Sequence, residues 1–285
     1  ACFIILTLVL FVVAYPLYWV IISSISAPSA VSSGKVLLHP IGFTLKGYAE
    51  VFKNDQVMRG FLNSLIITFC GVMVNLIVTL PTSYALSRSN FSGKKPITIF
   101  YLITMFFGGG LIPTYLVIQR LQMLNTIWAL ILPGCLSVYN MIVARTFFKS
   151  NISEELYEAA EIDGCTQARF FFQIALPLSK AIIAILVLYY GVGHWNSYFS
   201  ALVYISDKAK YPLQLVLRNI LITNQTALSQ TATTAAARAA LQEKQQLIDV
   251  MKYSLIIISS IPVLVMYPLV QKHFVKGVMI GSMKG

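Results

Sequence analysis

The sequence predicts an all-α, polytopic membrane protein with six transmembrane helices, and three observations carry that prediction. Of its 285 residues, 57% are hydrophobic and only 11% charged, whereas soluble domains run at about 45–50% apolar and about 25% charged. The charges leave six long gaps, at 1–34, 60–87, 96–119, 121–144, 181–206 and 253–271. Each gap can supply the roughly 20 apolar residues that a helix needs to cross a bilayer core. The gaps also lack the alternating segments of about ten residues that a transmembrane barrel requires. High hydrophobicity with low charge excludes a disordered chain as well.

The elements follow in order. The first span covers roughly 2–25, with Pro16 as a kink. It is too long for the roughly 7–15-residue core of a signal peptide, and it has neither a basic leader nor a small-residue cleavage site. Because the chain begins at Ala1 without Met, a short preceding piece is expected. Segment 26–60 is expected as an extracellular loop containing a short amphipathic surface helix at 44–54, capped by Thr44. The second span, 61–86, carries Asn63, Ser64, Thr68, Asn75 and Thr79, more polar groups than lipid tolerates on all sides. A polar loop, 87–95, precedes the third span, 97–118, which is broken by Gly108-Gly109-Gly110 and Pro113. Such a break is tolerated only where it packs on protein or lines water. After a turn at 120–125 comes the fourth span, 126–145, interrupted at Pro133-Gly134. A polar segment (146–176), a fifth span (177–200), a polar extracellular excursion (201–250), a sixth span (252–271) and a cytoplasmic tail (272–285) complete the chain.

Net charge is +11, yet the basic residues are scattered between spans with no basic run, which excludes a nucleic-acid partner and points to anionic lipid headgroups. Cys2, Cys70, Cys135 and Cys165 are far apart and form no CxxC pair, so neither a disulfide framework nor a metal site is implied. Six spans put both ends on one side. If that side is cytoplasmic, the segments 87–95, 145–180 and 271–285 hold ten Lys and Arg in 60 residues, against ten in 94 outside. The excess of positive charge inside favours cytoplasmic termini.

Five of the ten acidic residues lie in 154–163: Glu154, Glu155, Glu158, Glu161 and Asp163. Asn151 or Ser153 can cap a helix there, and Glu154 and Glu155 suit its positive end. Leu156, Ala159 and Ala160 share a face at helical spacing. Gly164 supplies the helix-ending turn, and Thr166 can cap a second short helix over 167–174 bearing Phe170, Phe171 and Phe172. Pro177 then opens the fifth span. The apolar face of this helix pair is too small for a core and reads as a surface that docks in a groove.

Glu158-Ala159-Ala160, three residues, Gly164, nine residues, then Ile174-Ala175-Leu176-Pro177 resembles the EAA motif of bacterial ABC importer permeases in spacing and in all seven fixed residues, Ala175 standing at a variable position. The run from Asn140 to Pro177 and the ending FVKGVMIGSMKG resemble the carbohydrate-uptake permeases similar to the maltose-type permease with six spans. The ending is most like a subgroup that imports oligosaccharides or polysaccharide fragments. Two departures are Cys165, where Ala is usual, and Ser153, where Pro often opens the helix.

The resemblance implies a type I ABC importer transmembrane-domain fold and a specific assembly. A second homologous permease completes the pore, and a dimer of cytosolic ABC ATPase subunits receives the EAA helices. An extracellular solute-binding protein delivers the sugar. ATP and Mg would sit on the ATPase; this chain would bind no cofactor, hold no metal and have no catalytic residue. It would be a multi-pass protein of the bacterial cell membrane. By the same resemblance Glu158 anchors the helix in the ATPase cleft by charge-assisted hydrogen bonding. Ala159 and Ala160 permit close approach, Gly164 permits the turn, and Asp163 belongs to the same ATPase-coupling set. Ile174, Leu176 and Pro177 complete the motif. The tail around Lys276, Gly277, Lys284 and Gly285 reaches the ATPase dimer interface.

Other polar residues admit two readings. Ser64, Thr68 and Asn75, on one face of the second span, either line the substrate path or make interhelical hydrogen bonds. Trp195, Asn196 and Tyr198 offer the aromatic faces and amide that sugars favour, or anchor the chain at the bilayer edge. Two other function classes fare worse. An ion-coupled secondary transporter usually carries ionisable residues at mid-membrane, and the six gaps have no Asp, Glu, Lys or Arg. An intramembrane hydrolase would need HExxH, paired aspartates or GxSxG, all absent here.

Overall fold

The computed structural model describes residues 2–227 and 235–282, with side chains for all but 223–241, 244, 269–270 and 272–282. Among them the chain is helical and has no strand. Three helices are long and apolar enough to cross a membrane unbroken: α1 (Cys2–Ser24), α4 (Asp55–Ser87) and the stretch Gln245–Pro268 of the last helix, α15 (Ala235–Ser282). Three further spans are bent pairs. The α5 (Lys94–Phe106) and α6 (Leu111–Arg120) helices meet at 113° across Gly108–Gly110. Trp128–Gly134, which starts with α7 (Trp128–Ile131), meets α8 (Val138–Asn151) at 52°. Gln167–Leu178 meets α12 (Lys180–Trp195) at 80°. Six crossings are therefore accommodated, and the chain is a multi-pass membrane protein.

Contacts divide the chain into two units. The first comprises residues 1–63 and 207–262. Ile22, Val31, Val36 and Val250 form its buried core, with Trp19 packed edge-on against Tyr253 at 5.1 Å. α2 (Pro28–Ser32) and α3 (Lys46–Lys53) make segment 26–60 a fitted element. Gly47 of α3 lies so close to α15 that an added Cβ would meet Ser254 Oγ at 2.5 Å. The amphipathic helix expected at 44–54 is therefore real, but its apolar side faces protein. Leu45, not Thr44, occupies the position before its first turn. In the same unit, α14 (Leu213–Ala227) approaches Gly60 through Leu213 and Val216.

The second unit comprises residues 64–206 and 263–285. Its core joins Leu80 and Tyr84 of α4, Ala144 and Phe148 of α8, and Ile182, Leu186 and Tyr190 of α12. Polar side chains on α4 stitch these helices together. Thr79 Oγ1 and Tyr190 Oη are 2.7 Å apart, and Ser83 Oγ donates to the Met141 carbonyl at 3.0 Å. The fifth span, expected from 177, is bent at Ser179, where Gln167–Leu178 gives way to α12. The apolar stretch of the sixth ends at Pro268, near the expected 271, while the helical backbone of α15 continues to Ser282. Lys276 and Gly277 lie on that helical backbone, whereas Lys284 and Gly285 lie outside the described residues.

Candidate functional site

Between α8 and α12 the chain builds a compact projection within the second unit. Its first helix, α9 (Glu154–Ile162), starts at Ser153, whose Oγ accepts the Leu156 N–H at 3.3 Å. Glu154 and Glu155 occupy the first turn, where the helix dipole favours negative charge. The helix ends in a Schellman turn. There the Gly164 N–H donates to the Glu161 carbonyl at 3.0 Å and the Cys165 N–H to the Ala160 carbonyl at 2.9 Å. Gly164 sits at φ 76° with open space around it, so the turn needs glycine for backbone reasons alone. Thr166 then caps α10 (Gln167–Phe170), its Oγ1 accepting the Arg169 N–H at 3.3 Å. A single π-helical turn, Phe171–Ala175, and the short α11 (Leu176–Leu178) replace the regular helix expected to 174.

The motif residues divide between two faces. Tyr157, Phe170 and Phe171 are buried against Tyr84, Phe148 and Ile152, and Ala160, Cys165, Ile174 and Leu176 pack around them. The rings of Tyr157 and Phe170 meet edge-on at 5.2 Å and those of Tyr84 and Phe148 at 5.6 Å. The expectation that this helix pair has no core of its own is thus corrected: three aromatic residues root it on α4 and α8. What remains outward is Glu158, Ala159, Asp163, Gly164 and Pro177, with Leu156 and the 87% exposed Ile162 beside them. The result is an acidic and small-residue ridge carrying an exposed Ile on an aromatic base.

One residue of this site escaped the sequence reading. Arg88, on the loop after α4, brings Nη2 to 3.3 Å from Glu154 Oε1. The contact is an ion pair, not an aligned hydrogen bond. The guanidinium also lies over the Tyr157 ring, 4.0 Å from its centroid. Ser89 Oγ donates to the same Glu154 carboxylate. Arg88 is 66 residues from Glu154 in sequence and belongs to no local motif; only its place in the basic loop 87–95 marked it.

The polar residues of the second span turn inward. Asn75 is fully buried. Its Nδ2 donates to the Gly134 carbonyl at 2.7 Å and its Oδ1 lies 2.6 Å from His194 Nε2. Asn75 therefore joins α4 to the break before α8 and to α12. Ser64 is buried and Thr68 half-buried, with the Thr68 hydroxyl lacking a hydrogen-bond partner. Trp195 is 1% exposed, a core side chain, whereas Asn196 and Tyr198 are exposed. Asn196 Nδ2 donates back to the Val192 carbonyl at 3.0 Å.

A groove of about 580 Å³ in the second unit is lined by Tyr139, Asn140, Tyr189, Val192 and Tyr267. The three tyrosines are 56%, 44% and 55% exposed. The groove is mainly apolar, with Leu188 and Val263 also lining it and the Asn140 amide largely buried at its base. Tyrosines are frequent in this chain, 15 in all, so their spacing in three different helices carried no signal.

Comparison with known proteins agrees with this architecture. The chain is 37% identical over 270 residues to the polygalacturonan/rhamnogalacturonan transport system permease protein YtcP of Bacillus subtilis, covering 95% of this chain and 92% of that protein. The chain belongs to the carbohydrate-uptake family of ABC transporter permeases. Protein LplC of the same organism is 39% identical, covering 95% of this chain and 89% of its own length. The galactooligosaccharides transport system permease protein GanQ, also of Bacillus subtilis, is 30% identical, covering 96% and 91%. No protein-family model matches. Among solved structures, a bacterial ABC transporter involved in the import of the acidic polysaccharide alginate aligns with a TM-score of 0.85 at 28% identity. That alignment covers 95% of this chain and 94% of the other. The permease fold and the ABC transporter class are thereby established, and ion-coupled secondary transport is not favoured.

Proposed function

We propose that this permease forms half of the pore of an ATP-driven importer for an oligosaccharide or polysaccharide fragment. The observation that carries the reading is the outward ridge of α9: Glu158, Ala159 and Gly164 stand exposed on a base packed into the membrane helices. Force applied to that ridge reaches α4, α8 and α12 through buried aromatic contacts. The chain performs no bond chemistry. A dimer of cytosolic ATPase subunits, holding ATP and Mg, supplies the energy and grips one such ridge per permease. A second homologous permease completes the pore, and an extracellular binding protein presents the sugar. Both termini and the α9 ridge are cytoplasmic in this arrangement.

Names of the relatives support the substrate class, since they handle polygalacturonan, rhamnogalacturonan and galactooligosaccharides. Within the chain, the groove of Tyr139, Asn140, Tyr189 and Tyr267 is the best-suited path, with Asn196 and Tyr198 exposed beyond the end of α12. Contacts there are expected to be weak, each about 1 kcal/mol, so that sugar is released and not trapped.

The test is ATP hydrolysis by the purified complex in the presence of sugar-loaded binding protein. Glu158→Lys reverses the charge of the ridge, and Gly164→Pro removes the N–H that closes its turn. Both variants should assemble in the membrane and lose stimulated hydrolysis. Full stimulation in both would refute the reading.

A further inference from the structure

From the contacts of Arg88 we infer that it is a positioning residue that ties the N-terminal end of the coupling helix α9 to the end of α4, so that the two move as one body. This rests on the coupling role proposed for α9. Arg88 lies one residue past α4, whose last helical residue is Ser87. Its side chain is only 12% exposed, yet it makes its ion pair with Glu154 in the first turn of α9. The same guanidinium lies 4.0 Å from the ring centroid of Tyr157, one turn further on, and 5.9 Å from that of Tyr84 on α4. One planar cation thus touches both helices, and stacking of a guanidinium on an aromatic face is something an ammonium does poorly.

The loop carrying Arg88 is itself held. Lys94 Nζ donates to the carbonyls of Arg88 at 3.2 Å and Ser89 at 3.0 Å, and Ser89 adds its hydroxyl to Glu154. Arg88 borders a cavity of about 390 Å³ together with Tyr84, Asn90, Tyr157, Glu161 and Gln167. Without the guanidinium, the Ser89 hydroxyl is what remains on the Glu154 carboxylate. Tyr157, Phe170 and Phe171 root the helix pair by apolar contact; Arg88 adds a charged contact at the first turn of α9 and a stacked one on Tyr157. Without it, α9 stays folded and stays exposed to the ATPase, but it pivots about Tyr157 and Phe170 under load.

The experiment uses the whole transporter in lipid nanodiscs, with the native cysteines of this chain replaced and spin labels at Ser92 and Glu155. The distance distribution between them should be narrow in the parent. It should be about twofold broader in Arg88→Ala, and intermediate in Arg88→Lys, which keeps charge and loses stacking. Arg88→Glu should broaden it, and adding Glu154→Arg should narrow it again. In parallel, the ratio of ATP hydrolysis with and without sugar-loaded binding protein should fall several-fold in Arg88→Ala. An unchanged distribution in Arg88→Ala, no rescue by the exchanged pair, or failure of Arg88→Lys to assemble would each overturn the inference. If Arg88→Ala broadens the distribution while Glu158→Lys leaves stimulated hydrolysis intact, the anchor stands and the coupling reading falls. The reverse pattern removes only the anchor.

Discussion

Replacing Gly164 separates backbone strain from every other contribution, because an added Cβ meets no atom within 4 Å. The residue sits at φ 76°, where an L side chain costs about 1–2 kcal/mol. Nothing steric offsets or adds to that figure. A penalty of that size lowers the population of the Schellman turn by about five- to thirty-fold relative to competing local conformations. Because Glu161 and Ala160 accept the two hydrogen bonds of the turn, loss of the turn also frees the last carbonyls of α9. Gly164→Asn should retain most function, since Asn visits the left-handed region routinely. Gly164→Ala should lose several-fold in stimulated hydrolysis, and Gly164→Pro should lose nearly all, having neither the φ nor the N–H. Thermal unfolding in detergent should change little between Asn and Ala, because Gly164 is exposed and outside the aromatic core. The assay is ATP turnover of the purified complex with sugar-loaded binding protein, at equal complex concentration. If Ala performs as well as Gly and better than Asn, the left-handed turn is not what the coupling helix requires.

At Gly71 an added Cβ would lie 2.5 Å from His194 Nε2, the atom paired with Asn75. Gly71→Ala should therefore lower stability by about 1–3 kcal/mol, read as a fall in melting temperature, and His194→Ala in the same chain should recover part of it; an unchanged melting temperature would refute this. Asn75→Leu removes the buried amide that joins α4 to the Gly134 carbonyl and to His194, and should destabilise by a similar amount while assembly persists at low temperature. For the substrate path, Tyr189→Ala and Tyr267→Ala should cut sugar uptake several-fold at equal membrane level. Asn196→Ala should cut it less, and Trp195→Ala should act through stability, being buried; normal uptake in both tyrosine variants would place the path on the partner permease. With the loop 87–95 cytoplasmic, a single cysteine at Ser92 should resist an impermeant thiol reagent in intact cells, and labelling from outside would overturn the orientation.

Much of this molecule was legible in its residue order. Uncharged gaps of bilayer length marked the three unbroken apolar helices and the three bent pairs, since a charge in hydrocarbon is costly wherever the chain folds. Gly108–Gly110 and Pro133-Gly134 marked two of the three breaks, because backbone preference is local, whereas the bend at Ser179 was not foreseen: Pro177 read as the start of a span. Ser153, Thr166 and Gly164 were likewise readable as caps and turn, and the structure gives each that role.

Contacts distant in sequence were decided only in three dimensions. Whether Asn75 faced a pore or a neighbouring helix depended on where Gly134 and His194 lay, 59 and 119 residues away. Phe170 and Phe171 looked like part of a docking face until Tyr84 and Phe148 closed over them. Arg88 gained its meaning from Glu154 and Tyr157, and Tyr139, Tyr189 and Tyr267 became a groove only when three helices brought them together. The physical reason is the range of the forces. Hydrophobic transfer and backbone strain act on each residue where it stands, whereas ion pairs, ring contacts and buried hydrogen bonds need a partner within a few ångströms. Only the packed tertiary structure determines which partner that is.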